Sequence, residues 1–273
     1  MRQDFPDDRM ERLIAKLVNL WKDPQDYLLI AMAIQALDSR YYLDRKLNKE
    51  PGVAEIIEQM AGRLAHSFEK LSDLKDKRIL DIACGSNTSK MPRSIYVNTP
   101  FGEISLGGNR GYTALFEPWL CRLLFDLGAK PVGVDFGNMD QEVFEHYQIN
   151  LGNTDALASF EDRSFDAVQD SRLFGSPEFT AQFPEQADRL KVAEEIVRQE
   201  QRLLKPDGII IHSDAMDLLK AAGIPLPEPP RVPPLEDPIQ EQAASEEHPA
   251  QNTKPAAKKG AARKRAKNKS KAV

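Results

Sequence analysis

The sequence predicts an α/β fold: a mostly parallel sheet with helices on both faces, an N-terminal helical extension, an inserted β-hairpin and a disordered C-terminal tail. Three observations carry this. From Lys77 on, short apolar runs alternate with amphipathic stretches, as in a parallel sheet flanked by helices. Residues 7–75 show helical periodicity alone. After Gly223 the apolar pattern stops, and IPLPEPPRVPPLEDP opens a stretch with few apolar residues, which stays extended and then disordered. The expected regions are a helical cap (1–75), a sheet domain (76–224, with an insertion at 88–112) and a tail (225–273).

In the cap, Met10, Leu13, Ile14, Leu17, Val18 and Trp21 recur at spacings of three and four, one face of a 3.6-residue period. Asp23-Pro24 offers an N-cap and a first-turn proline. It opens a second helix through Tyr27, Ile30, Ile34 and Leu37. Pro51-Gly52 breaks the chain. A third helix follows, with Val53, Ile56, Ile57, Met60, Leu64, Phe68 and Leu71 on its stripe. These faces hold no titratable cluster and read as a cap on the next domain, the alternatives being a substrate-covering lid or a dimer surface.

In the sheet domain the expected strands are Arg78–Ala83, Pro131–Phe136, Tyr147–Asn150, Asp166–Ser171 and Gly208–Ser213, with helices at 117–127 and 185–204. Between Gly85 and the first of these helices, Ile95-Tyr96-Val97 and Glu103 to Leu106 flank a Thr-Pro-Phe-Gly turn. That predicts a hairpin, with Gly107, Gly108 and Gly111 as its return. An insertion of this size leaving a binding turn reads as functional.

The chain has 273 residues, 41% of them hydrophobic, enough for a substantial core. The N-terminus is charged from its start and predicts no secretory signal. The longest apolar run, Tyr27 to Ile34, falls short of the roughly 20 residues of a membrane span, so no membrane partner is expected. Two cysteines in apolar patterns, Cys84 and Cys121, point to a reducing, cytoplasmic setting. Charge is segregated. The chain carries −5, yet Lys254 to Val273 holds nine cations and no acid, which leaves −14 on residues 1–253. The basic stretch 254–271 suits a nucleic acid or another acidic partner; it equally suits folding back on the acidic body. It lacks the interleaved aromatics that would stack on bases.

Chemistry centres on RILDIACGSN (78–87), an apolar strand, an acid and a turn. Glycine there lets a ligand approach the backbone, and a following helix offers free N–H donors. Asp135, ending AKPVGVDFG, suits the two hydroxyls of a ribose. Discounting the insertion, its distance from Gly85 is close to the usual spacing of about 20 residues.

With RSFDAV and RLLKPDGIII following in order, residues 78–214 resemble the class I S-adenosylmethionine-dependent methyltransferases, and the last two motifs resemble the branch that acts on small molecules. The resemblance implies a Rossmann-like domain, S-adenosyl-L-methionine as cofactor and a small-molecule acceptor. It implies that Asp81, Ala83 and Gly85 line the methionine end, that Asp135 holds the ribose, and that Phe136 lies against the adenine. Asp155 would face the adenine amino group, with Ala156 beside it and Asn153 as the other register. Asp170 and Ser171 would face the transferred methyl. Asp170, His146, His212 and Tyr112 are the candidates for a modest catalytic base.

The chain departs from the family pattern at Ala83 and Asn87, which stand where glycine is favoured, and nothing after Ser213 resembles the family's last two strands. The fifth strand is then an open edge. The tail or a second subunit is a candidate cover for it, or the hairpin supplies strands elsewhere.

Other chemistries lose ground. No [DNS]-P-P-[YFW] ends the fourth strand, neither cysteine follows a proline, and no Cys/His spacing suggests zinc or any other metal. No phosphate loop is present. The rival readings are a non-catalytic methyltransferase-like binding module recruited through its basic tail, and, more weakly, a nicotinamide-dependent oxidoreductase.

Overall fold

The computed structural model describes residues 9–21, 23–86, 95–99, 102–106, 114–153 and 155–228. They belong to the first of two compact units, 1–231; the second, 232–273, lies outside the described residues. So do Asn87, Tyr112 and the glycine return at 107–111. Of the expected disordered tail only 225–228 is described, and it is neither helix nor strand.

Four helices come first: α1 (Arg9–Val18), α2 (Pro24–Tyr41), α3 (Leu43–Lys49) and α4 (Gly52–Ser67). Asp23 caps α2, its carboxylate accepting the Gln25 N–H at 2.9 Å. Tyr42 turns left-handed (φ 55) and starts α3, a short helix between Leu37 and Pro51 for which no separate element was expected. The helix expected to run through Leu71 stops at Ser67. Phe68 is extended and its carbonyl accepts the Trp21 indole N–H at 3.3 Å. Leu71 and Leu74 are buried from a short 3-10 turn instead, so burial alone had extended the helical pattern.

The strands are β1 (Arg78–Ile82), β2 (Ile95–Thr99), β3 (Gly102–Leu106), β4 (Lys130–Asp135), β5 (Glu145–Gln148), β6 (Phe165–Asp170) and β7 (Leu204–Ser213). Five form an all-parallel sheet in the order β5-β4-β1-β6-β7, a Rossmann-like arrangement. The inserted β2 and β3 pair antiparallel with each other as a separate two-stranded sheet. Two strands differ from expectation. β5 begins two residues earlier than expected, and β7 begins at Leu204 because the Lys205-Pro206-Asp207 stretch is accommodated as an irregularity in its pairing with β6.

Four more helices lie among the described residues: α5 (Trp119–Asp126), α6 (Pro177–Gln182), α7 (Gln186–Leu203) and α8 (Asp214–Ala221). Strand alternation divides the core. Ile79, Ala167 and Ile211 pack with α1–α5. Leu80, Ile82, Val132, Val134 and Val168 pack with α7 and α8 on the other side. The cap therefore shares one continuous apolar core with a face of the sheet. Among the described residues, no helix is long and apolar enough to cross a membrane.

Candidate functional site

From β1 the chain winds outward through β4 to β5, then returns to place β6 on the other side of β1. In open parallel sheets, ligands bind where that order reverses, beyond the carboxyl ends of the strands. A cavity of about 590 Å³ lies there, within the range of small-molecule sites. Its walls come from 83–86 after β1, 115–117 before α5, 135–137 after β4, 148–152 at the end of β5, and 171–173 after β6. Met60 of α4 and Phe179 of α6 add apolar surface.

The turn after β1 is held by the chain's own backbone. Gly85 adopts φ +93, and a Cβ on it would stand 2.2 Å from the Phe116 carbonyl oxygen. Ser86 donates its N–H to that same oxygen at 2.8 Å. Glycine is required here by the close approach of residues 114–117. Ala83 sits at φ 58, left-handed for a residue with a Cβ and so strained. Asp135 ties the turn to β4: its carboxylate accepts the Gly85 N–H at 3.0 Å and the Gly137 N–H at 2.8 Å. Phe136, next in the chain, is 66% exposed on the cavity rim.

Glu117 lies on the opposite wall, inside a buried charge cluster. One of its oxygens accepts from Lys46 at 2.5 Å and also from Arg122. Arg122 is forked onto Glu142 through Nε and Nη2, the latter at 2.6 Å, and lies between the Tyr41 and Trp119 rings. Burial opposes the charge on Arg122, but the bonds to Glu142 and Glu117 outweigh it and raise its pKa. The other oxygen of Glu117, Oε1, is buried with no hydrogen-bond partner.

Sequence reasoning placed Ala83, Gly85, Asp135, Phe136 and Ser171 together, and all five line the cavity. The remaining candidates do not. Asp81 lies within β1, where alternation turns its side chain toward α5, and it is 0% exposed. It accepts from the Cys121 thiol at 3.6 Å, and its Oδ1 has no partner. Burial, opposed by that thiol and reinforced by the charge of Asp135, pushes its pKa up to about 7.

Asp170 is buried and occupied with α8, accepting the N–H of Asp214 at 2.5 Å and of Ala215 at 3.0 Å. It therefore caps a helix and does not line the cavity. His212 Nε2 is 2.7 Å from Asp214 Oδ1, and His146 Nδ1 is 2.9 Å from the Phe144 carbonyl; both histidines also lie off the cavity. Asp155 is an exposed turn residue. Asn153 and Ala156 line a separate depression against α7. Because β5 ends at Gln148, the stretch that reaches the cavity is 148–152, ahead of these residues. Tyr112 lies outside the described residues. Among those described, no cluster of His, Cys, Asp and Glu forms a metal site.

Several wall residues were missed. Residues 115–117 follow the insertion with no motif of their own. Arg172 was seen only as a position lacking a proline. Phe179 and Gln182 sit on α6, which Ser176-Pro177 announces: Ser176 Oγ accepts the Phe179 N–H at 3.0 Å, and proline follows in the first turn.

Fold and site together define a Rossmann-like α/β domain with a cavity of about 590 Å³ at its topological switch point. No family model matches the chain, and no curated protein matches it. Among solved structures it is similar to a selenomethionine-substituted CurJ carbon methyltransferase, at 11% identity and a TM-score of 0.33, over 78% of this chain and 50% of that one. The chain thus spans about half the length of that structure.

Proposed function

We propose that this protein is an S-adenosylmethionine-dependent methyltransferase acting on a small molecule. The observation that supports this best is the placement of Asp135. The acid that the motif order marks for a ribose sits on the wall of the switch-point cavity, beside the β1 turn. The residues present fit the donor. Asp135 and the exposed Phe136 ring suit the ribose and adenine, and the unpartnered Oε1 of Glu117 offers an acceptor to an ammonium group. When bound, the donor supplies an electrophilic sulfonium methyl. The chain's part is alignment and exclusion of water, with Met60, Leu173 and Phe179 supplying apolar wall. Asp170 and His212 are already engaged with α8, so a base for the acceptor is not sought among them.

A second reading, a binding module without catalysis, is favoured by the β1 turn itself. Its glycine is filled by the Phe116 carbonyl, and the Asp135 carboxylate already holds two loop amides.

Calorimetric titration of S-adenosylmethionine and its demethylated product, on wild type and Asp135→Asn, tests the proposal. The asparagine keeps one acceptor oxygen for the loop, and a matching melting curve checks the fold. Saturable micromolar binding lost in the variant is the expected result. No binding at millimolar ligand by folded wild type would sink the methyltransferase reading and leave the binding module.

A further inference from the structure

Arg172 follows the carboxyl end of β6 on the cavity wall, in a left-handed conformation at φ 70. Its guanidinium has five N–H groups, and its one hydrogen bond to a described residue goes to the Leu115 carbonyl at 3.2 Å. Arg63, on α4 one turn beyond the cavity-lining Met60, is near enough for its charge to oppose that of Arg172. Among the described residues no carboxylate forms an ion pair with either guanidinium; Asp214 accepts the Arg172 backbone N–H at 2.5 Å, and the charges of Asp81 and Asp214 favour the guanidinium without pairing with it. Burial, with Arg63 added, lowers the pKa of Arg172.

Arg122 is the internal comparison. Where this chain buries an arginine for structure, it supplies two glutamates and two aromatic faces. Arg172 is half-buried and strained, beside a like charge. A desolvated cation in that state favours an incoming anion, and strain of this kind collects at ligand clamps. The guanidinium fork matches a planar carboxylate. Glu117 and Asp135 on the same lining disfavour an anion of higher charge.

We infer that Arg172 is the receptor for a carboxylate carried by the cavity's ligand. That carboxylate belongs either to the methionine end of the donor or to an acidic acceptor; only the first source rests on the methyltransferase reading.

The test is calorimetry on the full chain, wild type against Arg172→Asn, since asparagine tolerates positive φ. The probes are S-adenosylhomocysteine, 5′-methylthioadenosine (which lacks the amino-acid end) and benzoate. A loss of about tenfold or more for S-adenosylhomocysteine, with methylthioadenosine unchanged, places the donor's carboxylate on Arg172. Unchanged nucleoside binding with benzoate lost places an acceptor's carboxylate there. Benzoate lost by substitution, in a protein that binds neither nucleoside, removes the methyl-transfer reading and keeps this one. Equal affinities for all three probes in both proteins, or no carboxylate probe bound by wild type, overturn it. Should Arg172→Asn fold poorly, Arg63→Gln reads the same pair and is expected to show a smaller loss of the same carboxylate.

Discussion

Replacing Asp81 by asparagine should make the protein clearly more stable in mild alkali and change it little in mild acid. The side chain is wholly buried in β1, with one oxygen against the Cys121 thiol and the other unpartnered. Burial pushes its pKa from 3.8 up to about 7. A group whose folded pKa is raised contributes stability that is fully present below the unfolded value and is lost as pH rises through the folded one. Between about pH 4 and 7 wild type therefore loses stability from this residue. At ~1.4 kcal/mol per pH unit the loss approaches about 4 kcal/mol. Asparagine never ionises, but it buries an amide with at least one unmet hydrogen bond, at a cost of about 1 kcal/mol. Asp81→Asn should thus lie within about 1 kcal/mol of wild type at pH 5 and be more stable by roughly 3 kcal/mol at pH 8. Urea melts of both proteins at half-unit pH steps measure the difference, and Asp170, Glu200 and the other buried acids cancel in it. A difference flat within about 0.5 kcal/mol from pH 5 to 8 would show that Asp81 is not held protonated, and the reasoning from burial would fail.

Gly85→Ala should cost about 3 kcal/mol or more, because its Cβ meets the Phe116 carbonyl oxygen at 2.2 Å in a φ that alanine resists; thermal unfolding reads this directly. At Ala83, φ 58, glycine should hold stability or raise it by up to about 1 kcal/mol. Valine at the same position should lower it by about 2 kcal/mol, and equal melting points for the two would argue against a strained turn. Arg122→Met takes the guanidinium from Glu142 and leaves Glu117 with Lys46 alone among its described partners, and should cost about 3–5 kcal/mol. Most of that should return in Arg122→Met/Glu117→Gln/Glu142→Leu if the cost is uncompensated charge, as denaturant midpoints would show.

The parallel sheet was legible because buried strands leave continuous apolar runs that little else produces. ILDI, PVGV and DAVQ lie within a residue or two of where alternation put them. The edges were harder. Among the described strands β5 pairs with β4 alone; its residues Glu145, His146 and Gln148 face solvent in part, so its start fell on polar residues that carry no apolar signal. In the cap, a stripe at spacings of three and four records burial and not helix. Leu71 kept the stripe while the backbone left the helix to give Trp21 its acceptor at Phe68.

For the site, what could be read were residues that sit at strand ends, where the chain's own order fixes their position. Ala83, Gly85, Asp135 and Ser171 are of that kind. Asp81 and Asp170 failed for a shared reason. Asp81 lies one residue short of the end of β1 and Asp170 is the last residue of β6; each is committed to a side of the sheet where a helix meets it before any ligand is considered. Asp81 was committed to the α5 side, against Cys121, and Asp170 to the first turn of α8. Arg172 was hidden by the opposite circumstance: it is one residue past Ser171, where no periodicity constrains a side chain. Only the folded path of residues 114–117 gives its guanidinium a wall to meet. Position at a strand end can thus be read from pattern, whether a carboxylate there stays open to a ligand needs the packing of the neighbouring helices, and a residue past the strand needs the loop from elsewhere that closes the cavity.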